Sequence, residues 1–163
     1  MRSIPFLDIR RIIKLMEVKD IIKPAVVVSE NDTFERALHM MVNEKTNTLL
    51  VIDDEGLLSG EVTVADLLDA VIPDTLTGDE VLHHFKDDTA IKAAIESARD
   101  VPVIDFMSVD YSALRVHDDL MSIIATAIAH QRARIPVIDK DGHPVGIISR
   151  QGLKSVLAKF LGV

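Results

Sequence analysis

Apolar residues recur along this chain at two periods, and the periods alternate. Phe34, Ala37, Leu38 and Met41 stand at i, i+3, i+4 and i+7, one face of an amphipathic helix, and so do Leu120, Ile123, Ile124 and Ala127. Around them run short stretches rich in β-branched residues and bounded by turn formers, which read as strands. The pattern predicts a strand at Ala25–Val28 and a helix from an Asp32 N-cap, with Glu35 three residues on, to about Glu44. It then predicts strands at Thr48–Ile52 and Leu57–Thr63 around an Asp53–Gly56 turn, and a helix at Val64–Val71 that stops near Pro73. Strands at Ala113–Val116, Ile135–Ile138 and Val145–Ser149 and a last helix reaching Leu161-Gly162 repeat that order.

The repetition is close enough to fix a register. Val51-Ile52-Asp53 with Gly56, Gly60 and Thr63 returns as Val137-Ile138-Asp139 with Gly142, Gly146 and Ser149, every pair 86 positions apart. Leu67, Ala70 and Val71 likewise fall on Leu153, Val156 and Leu157. A repeat that carries its glycines with it is one supersecondary unit used twice, here strand, helix, strand, strand, helix. Two stretches stand outside it. Phe6, Ile9, Ile12, Ile13 and Met16, with basic residues between, predict a leading helix, and residues 74–100 predict a helical connector with one helix from Asp79 to Ala98. The expected organisation is a leading helix at 1–14, a first unit at 15–73, the connector at 74–100 and a second unit at 101–163.

Composition narrows the function classes. Apolar residues at 48% can furnish a core, and aromatics at 4% make it aliphatic. No apolar run is long enough to span a bilayer, and the chain does not open as a signal peptide, so direct membrane insertion is not expected and a cytoplasmic location is. The absence of cysteine removes disulfides, thiolate metal sites and a cysteine nucleophile. A net charge of −8 opposes general affinity for nucleic acid. The charge is uneven: residues 101–163 hold 7 Lys+Arg against 6 Asp+Glu, so the acidity lies in the first hundred residues.

The two units resemble a tandem pair of cystathionine-β-synthase-type (CBS) domains, the Bateman module. The resemblance is carried by Val18-Lys19-Asp20-Ile21-Ile22-Lys23-Pro24 and its counterpart Ile104-Asp105-Phe106-Met107-Ser108, and by the Asp118-Asp119 pair before a helix. Arg134-Ile135-Pro136-Val137-Ile138-Asp139 and the Gly-x-hydrophobic-Thr/Ser stretch closing each unit complete it. It implies an α+β fold of two pseudo-symmetric β-α-β-β-α units packed through their sheets. It also implies clefts for an adenosine-containing ligand, AMP, ADP, ATP or S-adenosylmethionine, with or without magnesium. Such modules commonly form homodimers and act as regulatory sensors for an enzyme or transporter. With no effector domain in the sequence, the expected output is on a separate effector protein.

The resemblance assigns the ribose hydroxyls to Asp66 and the ribose or phosphate to Thr63 in Gly60-Glu61-Val62-Thr63-Val64-Ala65-Asp66. An ionised carboxylate suits a vicinal diol because both of its oxygens accept. The same spacing is also that of a capping box, in which Thr63 and Asp66 serve only the helix start. The second unit keeps Ser149 and Arg150 but has Gly152 where the aspartate should be, so its site is expected to be empty, degenerate or differently selective. Arg134 and Arg132 could meet a phosphate, their first-unit counterparts Thr48 and Thr46 being uncharged, or could equally be solvated or paired. Ile22, Lys23 and Pro24, with Met107, Ser108 and Val109, are expected to offer backbone and apolar contacts to an adenine, or to be plain core.

Other chemistry is weakly signalled. His83 and Asp87 stand at i, i+4, but two ligands seldom make a metal site, and a solvated helix face accounts for them. His39, His117, His130 and His143 show no pairing at ligand spacing. There is no phosphate loop, nucleophile elbow or His-Glu-x-x-His run, so a sensor is expected in place of an enzyme. The alternatives are an interaction scaffold with degenerate nucleotide sites and a sensor of a divalent cation.

Overall fold

The computed structural model describes residues 18–72, 74–130 and 134–163; the expected leading helix and Arg132 lie outside them. Two three-stranded sheets and six helices make up the described chain. In the first sheet β1 (Val27–Ser29) runs parallel to β2 (Thr48–Ile52), which runs antiparallel to β3 (Leu58–Thr63). The parallel pair needs a crossover, and α1 (Phe34–Asn43) supplies it. Its N-cap is Thr33, whose side chain accepts from the Arg36 amide; the expected cap, Asp32, binds the Ser29 amide instead. Lys45 ends α1 in the left-handed region at φ 51°, and the Thr46 and Lys45 amides donate to Met41 and Val42, a Schellman closure made without glycine.

The second sheet repeats this arrangement with β4 (Leu114–Arg115), β5 (Arg134–Ile138) and β6 (Pro144–Ser149), crossed by α5 (Leu120–His130). Both hairpins slip register at the same place, between Val51 and Ile52 and between Val137 and Ile138. β3 and β6 run straight into α2 (Val64–Val71) and α6 (Arg150–Leu161). The expected single connector helix is two, α3 (Gly78–His84) and α4 (Asp88–Ala98). No proline or glycine forces the break. Asp87 does, by accepting from the Thr89 and Ala90 amides at 2.9 and 3.1 Å and so capping a new helix.

The segments that open the repeats dock crosswise. Val103 heads a 3-10 turn (Val103–Asp105) and is fully buried with Phe34, Leu49, Val51 and Val62 of the first repeat. Val18, heading the matching turn (Val18–Asp20), is buried with Leu114, Leu120, Ile135 and Val137 of the second. Beyond each turn one residue extends the sheet. Ser108 and Glu61 exchange backbone hydrogen bonds of 2.9 and 3.0 Å, and Lys23 and Ile147 exchange bonds of 2.9 and 2.8 Å. The compact units therefore cut across the repeat: one is Val26–Asp110, the other joins the described residues from Val18 to Ala25 with those of Tyr111–Val163.

Candidate functional site

Thr63 is at once the last residue of β3 and the N-cap of α2, with an extended backbone of φ −111° and ψ 172°. A strand that becomes a helix without a loop leaves the first helical amides to be satisfied locally. The Thr63 hydroxyl accepts from the Asp66 amide at 3.4 Å, and Asp66 Oδ2 accepts from the Thr63 amide at 2.6 Å and the Thr63 hydroxyl at 2.7 Å. The capping box is thus complete, and it uses one carboxylate oxygen. Oδ1 has no hydrogen bond among the described residues, so the cap leaves that oxygen able to accept from a further donor.

Other groups gather on that side of the unit. Thr48 is the cross-strand partner of Thr63 and Leu50 that of Glu61, so these four share one face of the sheet. Glu61 is only 4% exposed, the one buried charged residue among those described. Beside it Met107 and Ser108 lie flat on β3, which Gly60 permits: a Cβ there would sit 2.9 Å from both Met107 Sδ and the Ser108 oxygen. Thr48, Thr63, Asp66, Met107 and Ser108 are accordingly held together within the Val26–Asp110 unit.

The remaining predicted residues form a second set in the other unit. Ser149 caps α6 by accepting from the Gly152 amide at 3.3 Å, and Gly152 can return no carboxylate, so only half of the box exists. Arg134 is the cross-strand partner of Ser149, and Arg150 is the exposed first residue of α6. Ile22 and Lys23 run along β6 at Gly146, while Pro24 is exposed beyond them. Sequence reasoning names Glu61 only as part of a motif. Its burial on the Thr63 face is readable from strand alternation, since Thr63 lies two residues on.

Two histidine readings change. His83 lies in α3 and Asp87 caps α4, so their i, i+4 spacing falls across a helix break. His143 does meet a partner: its Nδ1 is 3.4 Å from Asp139 Oδ2, and Asp139, Asp141 and His143 each bring a ligand atom within 4.8 Å of the others. The turn itself explains the grouping, because Asp139 Oδ1 accepts from the His143 amide at 3.0 Å and the Asp141 amide at 2.8 Å. The His143 amide is the chief reason that the Asp139 carboxyl titrates below the usual aspartate range. Asp53 folds the first-repeat turn in the same way, onto the Glu55 and Leu57 amides.

No helix among the described residues is long and apolar enough to cross a membrane. Among solved structures, the CBS domain of a CBS domain-containing membrane protein from Sphaerobacter thermophilus superposes with a TM-score of 0.71 at 26% identity, over 91% of this chain and 92% of that one. CBSX2 in complex with AMP superposes with a TM-score of 0.64 at 25% identity, over 88% and 96%; CBSX2 is a CBS-pair protein of Arabidopsis thaliana. The magnesium and cobalt efflux protein CorC of Vibrio cholerae is 28% identical over 130 residues, 77% of this chain and 44% of CorC. The chain spans less than half the length of the curated relatives it matches. Residues 18–73 and 98–159 each match the CBS domain, and the chain belongs to the CBS-domain family as a tandem pair.

Proposed function

We propose that this CBS pair is a regulatory sensor that binds an adenosine-containing ligand, AMP, ADP, ATP or S-adenosylmethionine, at the β3–α2 junction. One observation carries the reading: the capping box occupies Asp66 Oδ2 and leaves Oδ1 to accept from a ribose hydroxyl. Thr63 then supports the ligand and the helix together, and Thr48, Met107 and Ser108 border the same junction. The relative solved with AMP supports the ligand class. The efflux protein and the membrane protein among the relatives support a transporter as the effector, outside these residues. The sensor acts as a homodimer, and a ligand moves its output only through unequal affinity for two states.

The test is thermal unfolding with each of the four ligands, alone and with magnesium, for wild type and Asp66→Ala. The Asp66→Ala variant lacks half the cap, which by itself costs about 1 kcal/mol; the readout is therefore the shift that ligand adds to each protein. A ligand at about 100 times its Kd adds about 2.7 kcal/mol. The expected result is one ligand that stabilises the wild type by this order and Asp66→Ala not at all. No stabilisation by any of the four supports the second reading, an interaction scaffold, which the half-built cap at Ser149 and Gly152 favours.

A further inference from the structure

We infer that two copies of this chain pair head to tail, the acidic Val26–Asp110 unit of one copy lying against the basic unit of the other. This deepens the reading of the chain as a homodimer, on which it rests, by naming the surface and the orientation. The two units carry charge of opposite sign. Val26–Asp110 holds 19 Asp+Glu against 5 Lys+Arg, a net of −14, while residues 111–163, the bulk of the other unit, hold 4 against 7, a net of +3. The outer helices add an apolar surface to each. In the acidic unit Leu38 and Val42 of α1 are exposed four residues apart, and so are Val64 and Leu68 of α2. In the basic unit Met121 and Ile128 of α5 are exposed seven apart, and Leu157 and Leu161 of α6 four apart. These spacings put each pair on one side of its helix, so all four helices leave an apolar stripe uncovered.

Beside these stripes the signs oppose. α2 carries Asp66 and Asp69 and no base, whereas α6 carries Arg150, Lys154 and Lys159 and no acid. Asp69, Arg150, Lys154 and Lys159 are exposed and have no ion pair among the described residues. Charges brought within the Debye length, about 8 Å at physiological salt, are no longer screened from one another. A head-to-head pair would set the −14 unit against itself. A head-to-tail pair sets it against the basic unit, and a two-fold axis makes that favourable contact twice. A separate basic partner would complement the acidic unit alone, and a separate acidic one the basic unit alone. A second copy complements both, which is why it is the occupant that fits.

Sedimentation equilibrium of the wild type separates the two failures. A monomer ends the homodimer reading and this inference together, while a dimer leaves the orientation to be decided without any ligand. The chain has no cysteine, so single cysteines report that orientation directly. Val42 and Ile128 are both exposed and stand at the same place in the two repeats. Val42→Cys and Ile128→Cys are treated with a short bismaleimide, each alone and as an equal mixture after subunit exchange. Cross-linked dimer from the mixture and none from either variant alone is expected. Cross-linking of each variant with itself means head to head, and no cross-link in any sample means another face; either result overturns the inference. The sign of the electrostatics is a second check. Lys154→Gln/Lys159→Gln should dissociate about tenfold more readily, because each lost attraction is lost twice across the axis. A dimer that is unchanged or tighter would show that these lysines face no acid, or face their own kind, and would overturn the head-to-tail pairing.

Discussion

At the scale of single residues, the two glycines that let the opening segments lie on the sheets are not equivalent. A Cβ at Gly60 would press on Met107 Sδ, the far part of a flexible side chain, and on one carbonyl. At Gly146 it would press on the Lys23 carbonyl and on Ile22 of a segment bonded twice to Ile147. Gly146→Ala should thus cost about 1–3 kcal/mol, the usual penalty of overpacking, and Gly60→Ala less. Chemical denaturation of both variants checks the order, and equal midpoints would sink it. Asp139 gives a pH dependence of known sign. Amide hydrogen bonds hold its folded-state pKa down, so the turn gains stability above the ordinary aspartate range and loses it as pH falls through the lowered value. In an NMR titration the Asp141 and His143 amides should therefore shift together, with a midpoint below the ordinary aspartate value. Thr63 and Asp66 were legible because a cap is written within four residues. The approach to Gly60 and Gly146 was not, since it depends on chain more than forty positions away in one case and more than a hundred in the other.

At the scale of elements, local chemistry decided what periodicity left open. The helical faces through Phe34, Ala37 and Met41 and through Leu120 and Ile123 are buried as their spacing predicts, because that face meets the sheet, while Leu38, expected on the first of them, is 38% exposed. In the connector the apolar positions are sparse, and α3 buries none of its residues. With so little packing to hold one long helix in register, the Asp87 side chain is enough to stop and restart it. Asp87→Ala should remove a cap worth about 1 kcal/mol and lower the melting temperature by about 2–4 °C, while helical circular dichroism rises as the two helices join across the lost stop. A variant that melts at or above the wild type, or gains no helix, would show that the break is imposed by something else. The matching turns of the two hairpins, by contrast, were visible in the repeated glycines and in Asp53 and Asp139, although their shared register slip was not. These are short-range features that a sequence states twice.

At the scale of the whole molecule, the repeat marks how the chain was built, while the cores mark what must be present for it to fold. Val103, Ala98, Phe106 and Met107 lie beyond the first repeat in sequence, yet they pack with Val28, Phe34, Leu49 and Val62 of that repeat. Phe106 meets Phe34 edge to face with ring centroids 5.8 Å apart. A fragment ending where the first repeat ends lacks all four, and losing one large core side chain alone costs about 3–5 kcal/mol, as much as the net stability of many small domains. A fragment spanning Val26–Asp110 keeps every member of that core, both partners of the Glu61–Ser108 pair and the whole Thr63/Asp66 junction. We therefore expect residues 26–110 to unfold cooperatively in urea, with dispersed amide resonances, and residues 15–73 to show neither. Cooperative folding of 15–73 would mean that the crosswise docking adds to a core already sufficient. Failure of 26–110 alone would mean that its sheet needs more of the chain than its own core.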